Sequence, residues 1–237
     1  MKNLRKLSSI VVAWLISSIL FVSCASSNSS SSKKNEVLNE KQRLLAYGAV
    51  LSSRNNMAFD ELKTTNEGVK EVLKEGWDVT SKETAIEALE WLVNEGHREE
   101  ADEVYNVIKS GEGGNYPDLN KTIQLYDKAN STMKAQLGFK DESFNNVKTV
   151  AAWDTDRLVT VARWSYSADY ITEEEAWNYI NKAVSMAKSS FNSWEEYYIS
   201  CAYGRAIAYE GDIDELIGTG KALFKNSDSV WKKCNFK

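Results

Sequence analysis

Histidine and proline are the scarcest residues of this 237-residue chain, which has one of each, and cysteine occurs three times. A single His97 and three scattered cysteines cannot build the residue sets that bind zinc or non-haem iron, so we expect no metal centre. The 29 basic residues are outnumbered by 34 acidic ones, which argues against nucleic-acid binding because phosphate contacts need clustered Lys and Arg. The glycine-rich stretch 111–117 lacks the ending of a phosphate-binding loop, and we expect no cofactor.

The first 23 residues have the layout of a secretory signal rather than of a folded helix. Three basic residues precede an apolar run over 10–22, and a small residue stands directly before Cys24. Residues 20–24, Leu-Phe-Val-Ser-Cys, resemble a bacterial lipobox in which Phe21 takes the position where Leu is usual. This resemblance implies cleavage before Cys24 and attachment of lipid, palmitate included, to that cysteine. The alternatives are a plain secretory signal and an uncleaved membrane anchor.

Cleavage of the signal, residues 1–23, changes the charge of the protein. It removes Lys2, Arg5 and Lys6, so the net charge of −5 becomes −8. The following stretch, 24–35, is rich in serine and lacks large apolar side chains, which predicts a disordered tether. Residues 36–237 then form a single domain. The predicted location is the bacterial cell envelope, with the outer membrane as the default where the host has one.

Two cysteines remain in the domain after the lipid site is assigned. Cys201 and Cys234 would reside in a compartment where disulfides persist, so they could form a bridge. Cys201 alone could instead be an ordinary buried thiol. The sequence leaves both alternatives open.

Helix signals dominate the domain. Thr80, Thr172 and Ser193 each precede a Glu by three residues, which is the pattern of a capping box at a helix start. No stretch of six residues alternates apolar and polar positions with β-branched enrichment, so no sheet is expected. The pattern predicts a compact all-α domain of eight or nine helices with a core rich in Trp and Tyr. The predicted helices lie near 38–53, 67–75, 81–95, 97–109, 119–137, 143–168, 173–190, 194–209 and 213–224.

Charged residues interrupt two apolar helix faces. Asp154 and Arg157 fall on a face with Trp153 and Trp164 and, three positions apart, can pair along the helix. Asp156 and Arg163 share the opposite side of the same helix. A buried charge must be paired or must open onto a cavity.

The helix that Ser193 begins shows the same anomaly. Arg205 lies on a face with Trp194 and Tyr198, and Gly204 beside it allows a close helix approach. Asp154 is a candidate partner for both Arg157 and Arg205. We therefore expect one polar cluster walled by aromatic rings, which either sets the helix packing or clamps an anionic group. Its expected members are Asp154, Arg157, Arg205, Trp153, Trp164, Trp194 and Tyr198.

Five segments of the domain form one combined pattern. They are Trp77 before a helix with Ala85, Leu89, Trp91 and Leu92; the Gly96-His97-Arg98 turn; Ala152-Trp153-Asp154 with Arg157, Ala162, Arg163 and Trp164; Tyr170-Ile171-Thr172 with Glu174, Glu175, Ala176 and Trp177; and Ser193-Trp194-Glu195-Glu196 with Gly204 and Arg205. Together these segments resemble a bacterial family, the domain of unknown function numbered 1266, over roughly residues 75–210. The resemblance implies a compact domain rich in tryptophan and supplies no catalytic residue.

Two functions fit these sequence features. The first is a non-enzymatic binding or protein-interaction domain on a lipid anchor, whose partners are the membrane, through Cys24, and a protein. The alternative is a hydrolase or transferase that uses Asp154 or Asp156 as acid or base beside an Arg157/Arg205 anion clamp. His97 is expected to start a helix with its ring packed on Trp91, rather than to act in catalysis.

Overall fold

The computed structural model describes residues 38–64, 68–209 and 213–237, and these residues are helical with no strand. The all-α prediction is confirmed. The predicted signal 1–23, the tether 24–35 and Cys24 lie outside the described residues. The helices are α1 (Glu40–Leu45), α2 (Ala49–Arg54), α3 (Val69–Trp77), α4 (Lys82–Asn94), α5 (Arg98–Lys109), α6 (Asn120–Thr132, continued by a π-helical turn over Met133–Leu137), α7 (Asp141–Asn146), α8 (Ala152–Ser167), α9 (Glu173–Ser190), α10 (Trp194–Tyr209), α11 (Ile213–Phe224) and α12 (Val230–Lys233).

Helix α8 is the centre of the domain. Every residue from 152 to 165 is buried, and α9, α10, α4 and α3 pack around it. A helix that is buried on all sides is expected to be apolar throughout. This one instead carries four charged side chains, so the packing around it must supply a partner for each of them.

A break before α8 corrects the predicted helix 143–168, which the structure divides into α7 and α8. Asp102 of α5 holds the intervening residues: its carboxylate accepts from the Thr149 hydroxyl at 2.7 Å and from the Val150 amide at 2.6 Å. The Ser200 hydroxyl of α10 accepts from the Ala152 amide at 3.1 Å. Side chains distant in sequence therefore take up the backbone groups that a continuous helix would have paired.

The predicted helix starts differ in detail from the observed ones. The capping box at Thr172 is confirmed. The one at Thr80 is wrong by a residue, because Ser81 is the N-cap and exchanges hydrogen bonds with Thr84. The Ser193 hydroxyl accepts from the Glu196 amide, but the Glu196 side chain turns back to another amide, that of residue 192. Within the described residues, none of the helices is long and apolar enough to cross a bilayer.

Aromatic rings fasten the two ends of the domain to each other. Trp194 stacks on Trp231 with ring centroids 4.7 Å apart, and the Trp231 indole N–H donates to the Ala46 carbonyl at 2.8 Å. Cys201 and Cys234 are free thiols, so the disulfide considered above is not formed. Cys201 is fully buried in α10, whereas the Cys234 thiol donates to the carbonyl of Val230 in its own helix at 3.2 Å.

Candidate functional site

Asp154 of α8 packs against the N-terminus of α5, and its side chain is 1% exposed. Its carboxylate accepts from the His97 amide at 3.2 Å and from the Arg98 amide at 2.9 Å, which are at the N-terminus of that helix. The Arg98 guanidinium lies 3.4 Å away, and Arg157 Nη2 donates to Oδ1. The predicted pairing with Arg157 is thus confirmed. The helix dipole and two arginines together stabilise the buried negative charge.

Gly96 makes this approach possible. It follows α4 with φ +67°, a left-handed conformation that side chains other than glycine rarely adopt, and its amide donates to the Trp91 carbonyl at 2.8 Å. A Cβ atom at this position would overlap the Asp154 carboxylate. Glycine is therefore required both for the turn between α4 and α5 and for the contact of that turn with α8.

Arg157 is enclosed by rings and acceptors. Its guanidinium carbon lies 4.8 Å from the Trp153 ring centroid and 5.5 Å from that of Trp77. Nε donates to the Trp153 carbonyl at 3.1 Å, Nη1 to the Tyr209 hydroxyl at 3.0 Å, and Nη2 lies 2.9 Å from Nδ1 of His97. The side chain is 3% exposed, so its hydrogen-bond acceptors replace water.

The His97 ring links the buried pair to the surface. Because a guanidinium can only donate, Nδ1 accepts from Arg157 and the ring proton is assigned to Nε2, which lies 3.3 Å from the Tyr209 oxygen. Burial, and then the charge of Arg157, lower the pKa of His97 to about 4. The imidazole is thus neutral at pH 7. As expected, His97 begins α5, and its ring packs edge-on against Trp91 at 4.9 Å.

Tyr209 is the exposed end of this cluster. Its oxygen accepts hydrogen bonds from Arg157 and from His97, and these two bonds occupy both acceptor positions of the Tyr209 oxygen. Its own O–H must then donate in another direction, and the side chain is 37% exposed. Tyr209 is absent from the predicted cluster, although its position four residues after Arg205 places it on the same face of α10.

Arg205 has a different partner from the predicted one. Its Nη2 lies 2.9 Å from Glu215 of α11, and Arg54 makes a bidentate contact with the same carboxylate at 3.0 Å. Arg205 also lies over the Trp153 ring at 5.8 Å. The expectation that Asp154 pairs with both arginines therefore holds only for Arg157, because α11 brings another carboxylate to Arg205.

Three of the predicted wall residues make their contacts elsewhere. The Trp164 indole N–H donates to the Met57 sulfur at 3.2 Å, Trp194 stacks on Trp231, and the Tyr198 hydroxyl donates to the Leu216 carbonyl. Trp164 lies eleven positions after Trp153, or about 16 Å along a helix. Residues on one helix face can thus lie three turns apart, and only Trp153 of the four predicted aromatic residues contacts Arg157.

A known protein family matches the part of the chain that contains this cluster. The chain matches the family described as Protein of unknown function (DUF1266) over residues 72–236. It belongs to that family. The match contains the expected core 75–210 and extends through α12. Comparisons with curated proteins and with solved structures find no match.

A second polar cluster of this DUF1266 region also involves α8. The fully buried Asp156 carboxylate accepts from the Val50 and Leu51 amides, both at 3.0 Å, at the start of α2. Burial raises its pKa to about 7. Arg163 donates to the Ser52 hydroxyl at 2.9 Å and to two carbonyls of the following loop. Both side chains therefore attach the N-terminal helices, which precede the family match, to α8.

In the parts of the chain that the structure describes, no three His, Cys, Asp or Glu side chains form a group that could hold a metal ion. An open cleft of about 440 Å³ lies between α7 and the start of α10. Polar side chains that line the cleft form hydrogen bonds with each other: Ser143 donates to Glu195 at 2.8 Å and Asn146 donates to Glu196 at 3.0 Å.

Proposed function

We propose that this protein is a lipid-anchored component of the bacterial cell envelope whose helical domain binds a protein partner. The lipobox resemblance at 20–24 and the serine-rich stretch that follows support the anchor. The outer membrane is the default location where the host has one. The family description names no activity, so the proposal rests on the site.

The observation that carries the binding role is the hydrogen-bonding state of Tyr209. Its oxygen is saturated by Arg157 and His97, and its O–H is therefore held in a fixed direction on an exposed side chain. A donor that is oriented before binding loses little entropy when it meets an acceptor. The complementary partner group is a carboxylate or a backbone carbonyl on a protein surface.

The same geometry makes the acid–base alternative less favourable. A catalytic carboxylate must come within hydrogen-bond reach of a substrate. Asp154 is 1% exposed, Asp156 is fully buried, and the oxygens of both accept hydrogen bonds from the protein. These carboxylates have the environment of structural ion pairs and helix caps.

Affinity capture tests the binding role. The wild-type protein is expected to retain a partner from solubilised membranes, and Tyr209→Phe is expected to lose it because only the hydroxyl is removed. Tyr166→Phe, which removes the hydroxyl of a half-buried tyrosine of α8, serves as the control. Mass spectrometry of the captured proteins gives the readout. If Tyr209→Phe folds and retains every partner of the wild type, the proposed contact is wrong.

Fractionation of cells tests the anchor. Wild-type protein is expected in the membrane fraction with an incorporated acyl label, whereas Cys24→Ser should carry no label. Density-gradient separation of inner and outer membranes then locates the labelled protein. An equal label on both forms would contradict lipidation at Cys24.

A further inference from the structure

Positive charge is concentrated near the two ends of this acidic chain. Residues 221–237 contain five lysines and one acidic residue, although the whole chain has a net charge of −5. Lys33 and Lys34 precede the described domain directly, and Lys41 and Arg43 lie in its first helix. Such segregation of charge in an otherwise acidic protein indicates a surface with a preferred partner.

The fold brings the C-terminal segment onto the first helices. The Trp194 indole N–H donates to the Cys234 carbonyl at 3.0 Å, and the Tyr47 hydroxyl donates to the Phe236 carbonyl. Arg43 lies close enough to Cys234 for its charge to oppose the effect of burial, which raises the pKa of that thiol. Arg43 and the C-terminal segment around Cys234 therefore lie together at one end of the described domain.

We call the exposed residues at this end the basic face, and they are Arg43, Lys232, Lys233 and Lys237. Arg43 Nε donates to the Leu38 carbonyl at 3.1 Å, so this face adjoins the point where the predicted tether enters the domain. Lys237 is fixed by a hydrogen bond of 2.7 Å to the Asn192 side chain. The face is therefore built from side chains of α1 and of the segment around α12.

We propose that the basic face lies against the anionic phospholipid headgroups of the membrane that carries the anchor. This step rests on the proposed lipidation at Cys24. Leu38 lies fourteen positions after Cys24, and the tether predicted from the sequence would have an r.m.s. span of about 20 Å over that length. The face thus remains near the headgroups, where each basic residue gains electrostatic attraction within roughly one Debye length.

This placement also orients the proposed binding site. Helix α10 begins at Trp194, which contacts the C-terminal segment beside the basic face, and it ends at Tyr209. Its 16 residues span about 24 Å at 1.5 Å per residue. With the basic face on the membrane, Tyr209 stands at the far end of α10, where a partner protein can reach it.

Vesicle binding tests the proposal. The protein used is the mature chain that begins at residue 24 and carries Cys24→Ser, so that no covalently attached lipid contributes to binding. We expect it to co-sediment with vesicles of 30% phosphatidylglycerol in phosphatidylcholine at ~0.05 M salt, and to dissociate at ~0.5 M salt because the Debye length shortens. Phosphatidylcholine vesicles alone should not bind it. In K232Q/K233Q, affinity should fall roughly 25-fold, at about fivefold per lysine.

The matched control is K70Q/K74Q, which makes the same change of charge on exposed residues of α3 and should bind like the wild type. An equal loss in both double variants would reduce the effect to net charge and overturn the assignment of the face. Absence of binding to the anionic vesicles at low salt would also overturn it. The acyl label on wild type and Cys24→Ser reports on the anchor independently, so the two proposals can fail separately.

Discussion

His97 makes both of its hydrogen bonds within the site only as a neutral ring. Protonation of Nδ1 would place a donor against the guanidinium of Arg157, which has no acceptor. The pKa of His97 in the folded protein, about 4, is therefore below the 6.5 of an exposed histidine. A depressed pKa of this kind means that the unfolded chain binds the proton first, so acid favours unfolding.

The first prediction compares wild type with His97→Asn, which keeps an acceptor near Arg157 but does not titrate. Between pH 7.5 and 4.5 the wild type should lose free energy of unfolding relative to the variant, mostly as pH falls through 6.5 toward 4. Urea denaturation at several pH values measures the difference. Asp156, with a raised pKa of about 7, contributes stability that is lost as pH rises, but it is common to both proteins and cancels. A pH-independent difference would contradict the assignment.

The pair that depends on one helix alone could be predicted from the sequence. Asp154 and Arg157 are three apart, and helix geometry brings them together wherever the helix packs. The His97 and Tyr209 contacts with Arg157 depend instead on how the α4–α5 turn and the end of α10 meet α8. Only the tertiary arrangement contains that information. The partner of Arg205 was mispredicted for the same reason, because Glu215 lies on a third helix.

Among the helices, α8 and α10 cross in close contact at Gly204. A Cβ atom on Gly204 would lie 2.5 Å from Trp153 Cβ and 3.1 Å from the Val150 carbonyl. The close approach predicted for Gly204 from the sequence is present in the structure. The helix break at 147–151 was not predicted, because it contains no Gly or Pro and is held by Asp102 and Ser200 from other helices.

The second prediction concerns this crossing. Gly204→Ala should destabilise the domain by about 1 to 3 kcal/mol, because the added methyl group must push α8 and α10 apart. Gly218→Ala on α11 is the control, since a Cβ atom there meets open space. It should raise stability by about 0.5 to 1 kcal/mol through helix propensity. Denaturant midpoints measure both changes, and equal effects of the two substitutions would refute the close contact.

For the molecule as a whole, the two polar clusters of α8 attach four surrounding segments to the centre of the domain. Asp154 and Arg157 connect the α4–α5 turn and the end of α10, whereas Asp156 and Arg163 hold α2 and the loop after it. An all-α domain with an aromatic core could be predicted from the helix-capping patterns and from the composition. The assignment of each cluster to a pair of attached elements could not, because it depends on long-range backbone donors and acceptors.

The third prediction tests whether the Asp154–Arg157 pair is a unit of this packing. Asp154→Asn alone should cost about 3 to 5 kcal/mol, because it leaves the buried charge of Arg157 unmatched. In the double variant with Arg157→Met, the loss should be clearly smaller than the sum of the two single losses, as expected for residues in one network. A double-mutant cycle by denaturation gives the coupling energy.

The exposed pair Lys134–Asp141, in a parallel cycle, should couple weakly because solvent screens it. Additive losses at Asp154 and Arg157 would mean that each residue stabilises the domain through its other contacts, and that α8 is held without the ion pair.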